Sequence, residues 1–196
     1  MAWFVTLFVV STAPGIFILW FVYHSMGAGR RVTPASVLVT FLAGCVVVLP
    51  AALIEGIAVP YVQRVVTGSV LSAFAVAFCV VAPVEETMKL LALVIAPRRK
   101  ELITSSRDGV VYGVAAAMGF ATVENLLFVM ELGFSAGVLR ALLSVPVHGI
   151  CGAAIGYAMG MSAGRRGNRR LIVCAGIGAA ILFHGLFDSI LLIQAG

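Results

Sequence analysis

Six apolar runs, each long enough to cross a lipid bilayer, take up almost the whole of this 196-residue chain. A membrane-spanning α-helix needs about 20 consecutive apolar residues. Only 11% of the residues are charged, against roughly 25% in soluble domains. The runs are Trp3–Tyr23, Ala35–Ala58, Ser69–Ala96, Val110–Met130, Gly137–Met161 and Leu171–Ile193. We therefore expect one all-α domain over residues 1–196, a polytopic membrane bundle of about six transmembrane helices.

The basic residues between the runs predict the orientation in the membrane. Ten of them follow the first, third and fifth runs: Arg30, Arg31, Arg98, Arg99, Lys100, Arg107, Arg165, Arg166, Arg169 and Arg170. Arg64 and Arg140 fall on the other side. The positive-inside rule then predicts a multi-pass protein of the cytoplasmic membrane with both termini outside. This distribution explains the net charge of +5, so the charge does not indicate a nucleic-acid partner.

The first run is expected to remain in the protein as a membrane span. It lacks the basic segment and the clear small-residue cleavage site of a signal peptide. The four cysteines lie within the runs without C-x-x-C spacing, and we expect them to be packing residues.

Ionisable residues inside the last four runs are the strongest functional signal. A charge near the bilayer centre costs about 2.5–3.5 kcal/mol on insertion scales. The polar residues are Glu85, Glu86, Lys89, Glu124, Asn125, His148, His184 and Asp188. One Glu or His on each of the four helices lies 13 to 17 residues from a cytoplasmic basic residue, which is a depth of about 20–26 Å. We therefore expect the last four helices to surround a shared polar site.

Spacing along each helix suggests roles but leaves several of them open. Glu85 and Glu86 point about 100° apart, and Lys89 lies one turn from both, so either carboxylate could pair with it. His184 and Asp188 share a helix face, where the carboxylate could orient the imidazole or bind a metal directly. The Asn125 amide could polarise a substrate carbonyl or form a hydrogen bond between helices.

Two prolines and two series of small residues stand near these polar groups. Pro83 and Pro146 each lie two residues before an ionisable side chain, where a proline either kinks the helix for packing or opens a wet pocket. Small residues at every fourth position predict close helix packing. They are Gly109, Gly113, Ala117 and Ala121 in one run, and Gly152, Gly156, Gly160 and Gly164 in the next.

Four motifs in this order resemble the PrsW family of intramembrane proteases, which is related to the CAAX-processing and bacteriocin-processing membrane proteases. Glu85 to Lys89 reads E-E-x-x-K, and Gly119 to Asn125 reads G-F-x-x-x-E-N. His148 opens a glycine-rich stretch, and His184 to Asp188 reads H-x-x-x-D. The resemblance covers about 81–192, within a motif-bearing core of about 69–194.

The resemblance implies a membrane-embedded metallopeptidase. Its expected substrate is a single-pass membrane protein in the lipid bilayer, with an anti-sigma factor as one candidate. The expected catalytic residues are Glu85, Glu86, Lys89 and Asn125, and the expected ligands of Zn²⁺ are Glu124, His148, His184 and Asp188. Glu85 is taken as the general base and Glu86 as the partner of Lys89, although the sequence does not separate the two carboxylates.

Two other functions are compatible with polar groups inside a membrane. Glutamate, histidine and aspartate side chains also form the relays of proton or ion transporters. A transporter predicts an inverted repeat and polar groups at several depths, whereas this chain has neither. A non-catalytic interaction or immunity protein would not need the complete set of glutamates and histidines.

Overall fold

The computed structural model describes residues 2–26, 32–96, 103–163 and 167–195, and nearly all of them are helical. The eight α-helices among them are α1 Ala2–Ser25, α2 Pro34–Val65, α3 Ser69–Val76, α4 Ala82–Ile95, α5 Ser106–Leu132, α6 Phe134–Leu142, α7 Ser144–Ser162 and α8 Arg169–Ala195. A π-helical segment, Ala77–Val81, joins α3 to α4. The expected all-α architecture is confirmed.

Five stretches of helix among the described residues are long and apolar enough to cross a membrane. They are Val5–Ser25, Pro34–Val65, Ser106–Leu132, Gly137–Ser162 and Arg169–Gln194. The sixth expected span, 69–96, is also helical, but the π-helical segment divides it into two shorter α-helices. Large apolar side chains such as Phe17, Leu53, Ile57 and Leu182 are exposed, which fits a surface in contact with lipid.

Both prolines beside the polar groups coincide with a break in helical geometry. Pro83 has no N–H to donate to the preceding turn, and just before it the helix widens, so that Ala82 N–H bonds the carbonyl oxygen five residues back, at Ala77. Pro146 lies in the first turn of α7, where no N–H donor is required, and α6 ends just upstream at Leu142.

The helix α5 is the most enclosed of the five long helices and packs closely against α7. A Cβ atom built on Gly113 would overlap the carbonyl oxygen of Gly152, and one built on Gly109 would overlap that of Gly156. The predicted role of these small residues in close packing is therefore confirmed. Because the two backbones are in direct contact at these glycines, the position of α7 along α5 is fixed.

The short helix α6 caps one end of the bundle. Gly133 turns the chain out of α5 with a φ of 86°, a value that favours glycine. Gly137 then packs directly against Val129 of α5. We call this end, which also carries the C-termini of α2 and α5, the α6 end.

Most of the basic residues that predict the orientation lie outside the described residues. This applies to Arg30, Arg31, Arg98, Arg99, Lys100, Arg165 and Arg166, and to Gly164 of the small-residue series. Among the described residues, Arg107 lies at the start of α5 and Arg169 and Arg170 at the start of α8.

Candidate active site

Three helices bring ionisable side chains to one buried point inside the bundle. Glu85, Glu86 and Lys89 come from the first two turns of α4, His148 from α7 and His184 from α8. Each of these five residues is at most 2% exposed. Such burial demands that the charged and polar atoms satisfy one another.

Lys89 lies at the centre of this group. Its Nζ donates to Glu85 Oε2 at 3.1 Å and to Glu86 Oε1 at 2.7 Å, and it lies 2.7 Å from His148 Nδ1. A lysine ammonium has three donors and no acceptor, so these three partners satisfy it completely. The ring nitrogen Nδ1 of His148 must accept this bond and therefore carries no proton.

The other nitrogen of His148 faces α5. Nε2 lies 3.0 Å from Glu124 Oε2 and 3.2 Å from Ser144 Oγ. Since Nδ1 is an acceptor, the proton of a neutral ring resides on Nε2. The imidazole thus links Lys89 on one side to the Glu124 carboxylate on the other.

His184 makes the corresponding contacts from α8. Its Nδ1 lies 2.7 Å from Glu86 Oε1, and its Nε2 lies 3.3 Å from Asp188 Oδ2 and 3.9 Å from Glu85 Oε2. The ring meets that of His148 edge to face, with centroids 5.0 Å apart. Asp188 therefore contacts the histidine one turn away, as the spacing between them predicted.

Four of these residues form a donor set that fits a divalent metal ion. Ligand atoms of Glu85, Glu86, His148 and His184 all lie within 4.8 Å of one another. Carboxylate and imidazole donors are those that Zn²⁺ takes in catalytic sites. The Lys89 ammonium bonds three of the same four residues, so a cation and Lys89 would compete for them. Glu124 and Asp188 instead contact the far sides of the two rings.

A cavity of about 640 Å³ lies beside the group and extends toward the α6 end. Glu85, Glu124, His184 and Asp188 line it, together with apolar side chains of α2, α5 and α8. Glu86, Lys89 and His148 do not contribute to its wall. Of the adjacent carboxylates Glu85 and Glu86, one therefore faces open space while the other is enclosed by its partners.

Asn125 is separated from the rest of the predicted site. It is 1% exposed, it does not line the cavity, and neither atom of its amide has a hydrogen-bond partner among the described residues. It neighbours Glu124 in sequence, but consecutive helical residues point about 100° apart. The other seven predicted site residues form one connected group.

The order of the motifs and this geometry agree with the match to known sequences. The profile of the PrsW family, described as intramembrane metalloproteases, matches residues 33–196, which is most of the chain. The chain belongs to the PrsW family. No solved structure is significantly similar to it.

Several PrsW proteins are similar over much of the chain. Protease PrsW of Clostridioides difficile is 34% identical over 125 residues, which are 61% of this chain and 52% of that protein. Protease PrsW of Bacillus subtilis is 30% identical over 180 residues, 91% of this chain and 79% of the relative. That of Halalkalibacterium halodurans is 27% identical over 188 residues, covering 96% and 84%. The chain spans about half the length of the Clostridioides difficile protein.

Four polar residues join this PrsW site without having been predicted for it. Arg140 of α6 lies 2.7 Å from Glu124 Oε2, Ser144 contacts His148, and Glu55 of α2 and Glu131 of α5 line the cavity. From the sequence, Arg140 serves only to predict orientation, and Glu55 has no predicted role in the site. A signal was present in both, since each is a charged residue in or beside an apolar run.

Proposed function

We propose that this chain is an intramembrane peptidase, which hydrolyses a peptide bond in or near the transmembrane segment of a single-pass membrane protein. The observation that carries the proposal is the Glu85 carboxylate. It faces a cavity of about 640 Å³ and is joined through Lys89 to both Glu86 and His148. A carboxylate facing the cavity and backed by imidazoles is suited to accept a proton from a water molecule.

The environments of the two adjacent glutamates support different roles for them. Glu85 lines the cavity, so a water molecule and a peptide can reach it. Glu86 is fully buried and lies 2.7 Å from both Lys89 Nζ and His184 Nδ1. We therefore assign the general base to Glu85, which would take the water proton and pass it to the leaving amine. Glu86 would hold Lys89 and His184 in place.

Glu86, His148 and His184, three of the four residues whose ligand atoms lie within 4.8 Å of one another, would hold a Zn²⁺ ion, in keeping with the family description, and would leave Glu85 to act as the base. The chemistry such an ion supplies when bound is to lower the pKa of a water molecule to about 7. The protein's own contribution is to orient the two imidazoles. Glu124 and Asp188 contact one ring each and fix the direction in which it points.

The cavity also suits a peptide better than a compact polar solute. It combines five acidic side chains with a mainly apolar wall, and it extends toward one end of the bundle. A transmembrane helix has its peptide bonds closed by internal hydrogen bonds. The substrate segment must therefore unwind locally, which favours a juxtamembrane or helix-weak position on the side of the α6 end.

From the positive-inside rule we infer that the α6 end faces away from the cytoplasm, with the protein in the cytoplasmic membrane and both termini outside. The resemblance to the PrsW family suggests a membrane-anchored anti-sigma factor as one candidate partner. Such a partner would have the single-pass topology that we propose for the substrate.

A comparison of membrane proteomes tests the proposed activity. Cells that produce the wild-type chain are compared with cells that produce Glu85→Gln at the same level, and the N- and C-terminal peptides of single-pass proteins are quantified. We expect at least one such protein to accumulate uncut in the variant. It should be cut by the purified wild-type chain in liposomes. If no single-pass protein differs between the two cell lines, the peptidase proposal is wrong.

A further inference from the structure

Arg140 is bound to the site although none of the sequence motifs contains it. It comes from the short helix α6, and its guanidinium carbon lies 3.8 Å from the centre of the Phe128 ring. Its Nη2 lies 2.7 Å from Glu124 Oε2, and its side chain is 18% exposed. The guanidinium is thus held between an aromatic face and a carboxylate at the wall of the cavity.

One oxygen atom of Glu124 connects Arg140 to the buried group. Oε2 lies 2.7 Å from Arg140 and 3.0 Å from Nε2 of His148. The geometry at Oε2 is that of an ion pair, without a hydrogen bond of standard angles among the described residues. Electrostatic attraction to Arg140 therefore holds the Glu124 carboxylate. Without Arg140, only the neutral ring of His148 would remain beside it.

The other acidic groups of the cavity make this dependence stronger. Glu55, Glu85, Glu131 and Asp188 line the same space as Glu124. Lys89 compensates Glu85, and His184 contacts Asp188. Arg140 also lines the cavity and lies within ion-pair distance of Glu124. Without it, repulsion from the like charges would turn the Glu124 carboxylate away from His148.

We propose that Arg140 is a positioning residue of the peptidase, which holds Glu124 against Nε2 of His148 and thereby keeps Nδ1 of that ring directed at Lys89. This role rests on the proposed function, because its consequence is a faster chemical step. A purely structural role would be to anchor α6 on α5, and the two roles differ in what they predict for kinetics.

The test uses the purified full chain in liposomes and the single-pass protein identified by the proteome comparison. The variants are Arg140→Gln, Arg140→Lys, Glu124→Gln and the double variant Arg140→Gln/Glu124→Gln. The matched control is Arg64→Gln, which removes an exposed arginine from the end of α2. Loss of a group that orients a catalytic imidazole typically costs about 10–100-fold.

We expect Arg140→Gln to lower kcat by about 10–100-fold with an unchanged KM, and Arg140→Lys to restore most of kcat. The double variant should be no slower than Glu124→Gln alone, because Arg140 acts through that carboxylate. Arg64→Gln should behave like the wild type. An additive double variant, or an Arg140→Gln effect on KM alone, would overturn the proposal in favour of an anchoring role.

A second measurement does not require activity. The chain contains three histidines, so a ¹⁵N-histidine NMR spectrum resolves three rings, and His24→Gln assigns the exposed one. Arg140→Gln should move the Nε2 resonance of His148 and leave that of His24 in place. An unmoved His148 resonance overturns the inference, whether or not the wild type cleaves a substrate. Absence of wild-type cleavage with a moved resonance would count against the peptidase function alone.

Discussion

The ammonium nitrogen of Lys89 lies 2.7 Å from Nδ1 of His148, although the two residues are 59 positions apart. This contact decides the tautomer of the imidazole, because the ammonium can only donate. It also places a positive charge among the four side chains that could bind a metal. Lys89 is therefore the group that any metal ion would have to displace from part of this donor set.

Lys89→Gln should increase the stabilisation that zinc gives to the folded protein. The substitution leaves two buried carboxylates without their cation and should cost about 3–5 kcal/mol in the absence of metal. Zinc would then meet no competing ammonium. We expect the zinc-dependent rise in thermal stability to exceed that of the wild type by at least about 1.4 kcal/mol, a tenfold gain in affinity. His24→Gln serves as a control, and an equal zinc response in the wild type and Lys89→Gln would contradict the competition.

Glu85→Gln and Glu86→Gln should separate catalysis from stability. Glu85 faces the cavity, so its amide variant should lose at least about 100-fold in cleavage rate while unfolding near the wild-type temperature. Glu86 is enclosed by Lys89 and His184, so its amide variant should lose about 3–5 kcal/mol of stability. Thermal unfolding in detergent and cleavage of the identified substrate measure both. The assignment is wrong if Glu85→Gln is the less stable of the two and Glu86→Gln the slower.

Gly113→Ala should destabilise the bundle, whereas Gly178→Ala should not. The new methyl group at Gly113 would overlap the carbonyl oxygen of Gly152, so α5 and α7 would have to separate. At Gly178 nothing lies within 4 Å of the added atom, and alanine is favoured over glycine in a helix by about 1 kcal/mol. The unfolding temperatures of both variants check this. Equal stability of the two would show that the helices are less tightly packed than the structure has them.

Asn125→Leu should raise the stability of the protein. The amide is buried with no partner among the described residues, and a buried unsatisfied polar group costs about 1–3 kcal/mol. Leucine is similar in size and has nothing to satisfy. Thermal unfolding measures the gain, and the cleavage assay is run in parallel. A stable but inactive variant would restore the carbonyl-polarising role that the sequence suggested for Asn125.

The depth of the site in the membrane was predicted from the sequence more accurately than the set of residues that forms it. Counting residues from the basic loops put Glu85, Glu124, His148 and His184 at one level, and the structure connects all four. This succeeded because helical rise is nearly constant. Sequence analysis could also have separated Asn125 from Glu124, because neighbouring residues on a helix point in different directions.

The contact of Arg140 with the site could not be predicted from residue spacing. It depends on the turn at Gly133 and on the close packing of Gly137 against Val129, which together fold α6 back over the cavity. The sequence reads α6 and α7 as one apolar run from Gly137. Where a run of this kind bends is a property of tertiary packing and not of hydropathy.

The π-helical segment Ala77–Val81 sets how far α4 is rotated about its axis relative to α3. It accommodates one residue more than regular α-helix would, so the lipid-facing pattern of α3 and the site-facing pattern of α4 are offset by about 100°. Deleting a single residue from this segment would leave every side chain of the E-E-x-x-K motif intact in sequence. The motif would nevertheless be turned away from the two histidines, and the site would not form although no functional group had been removed.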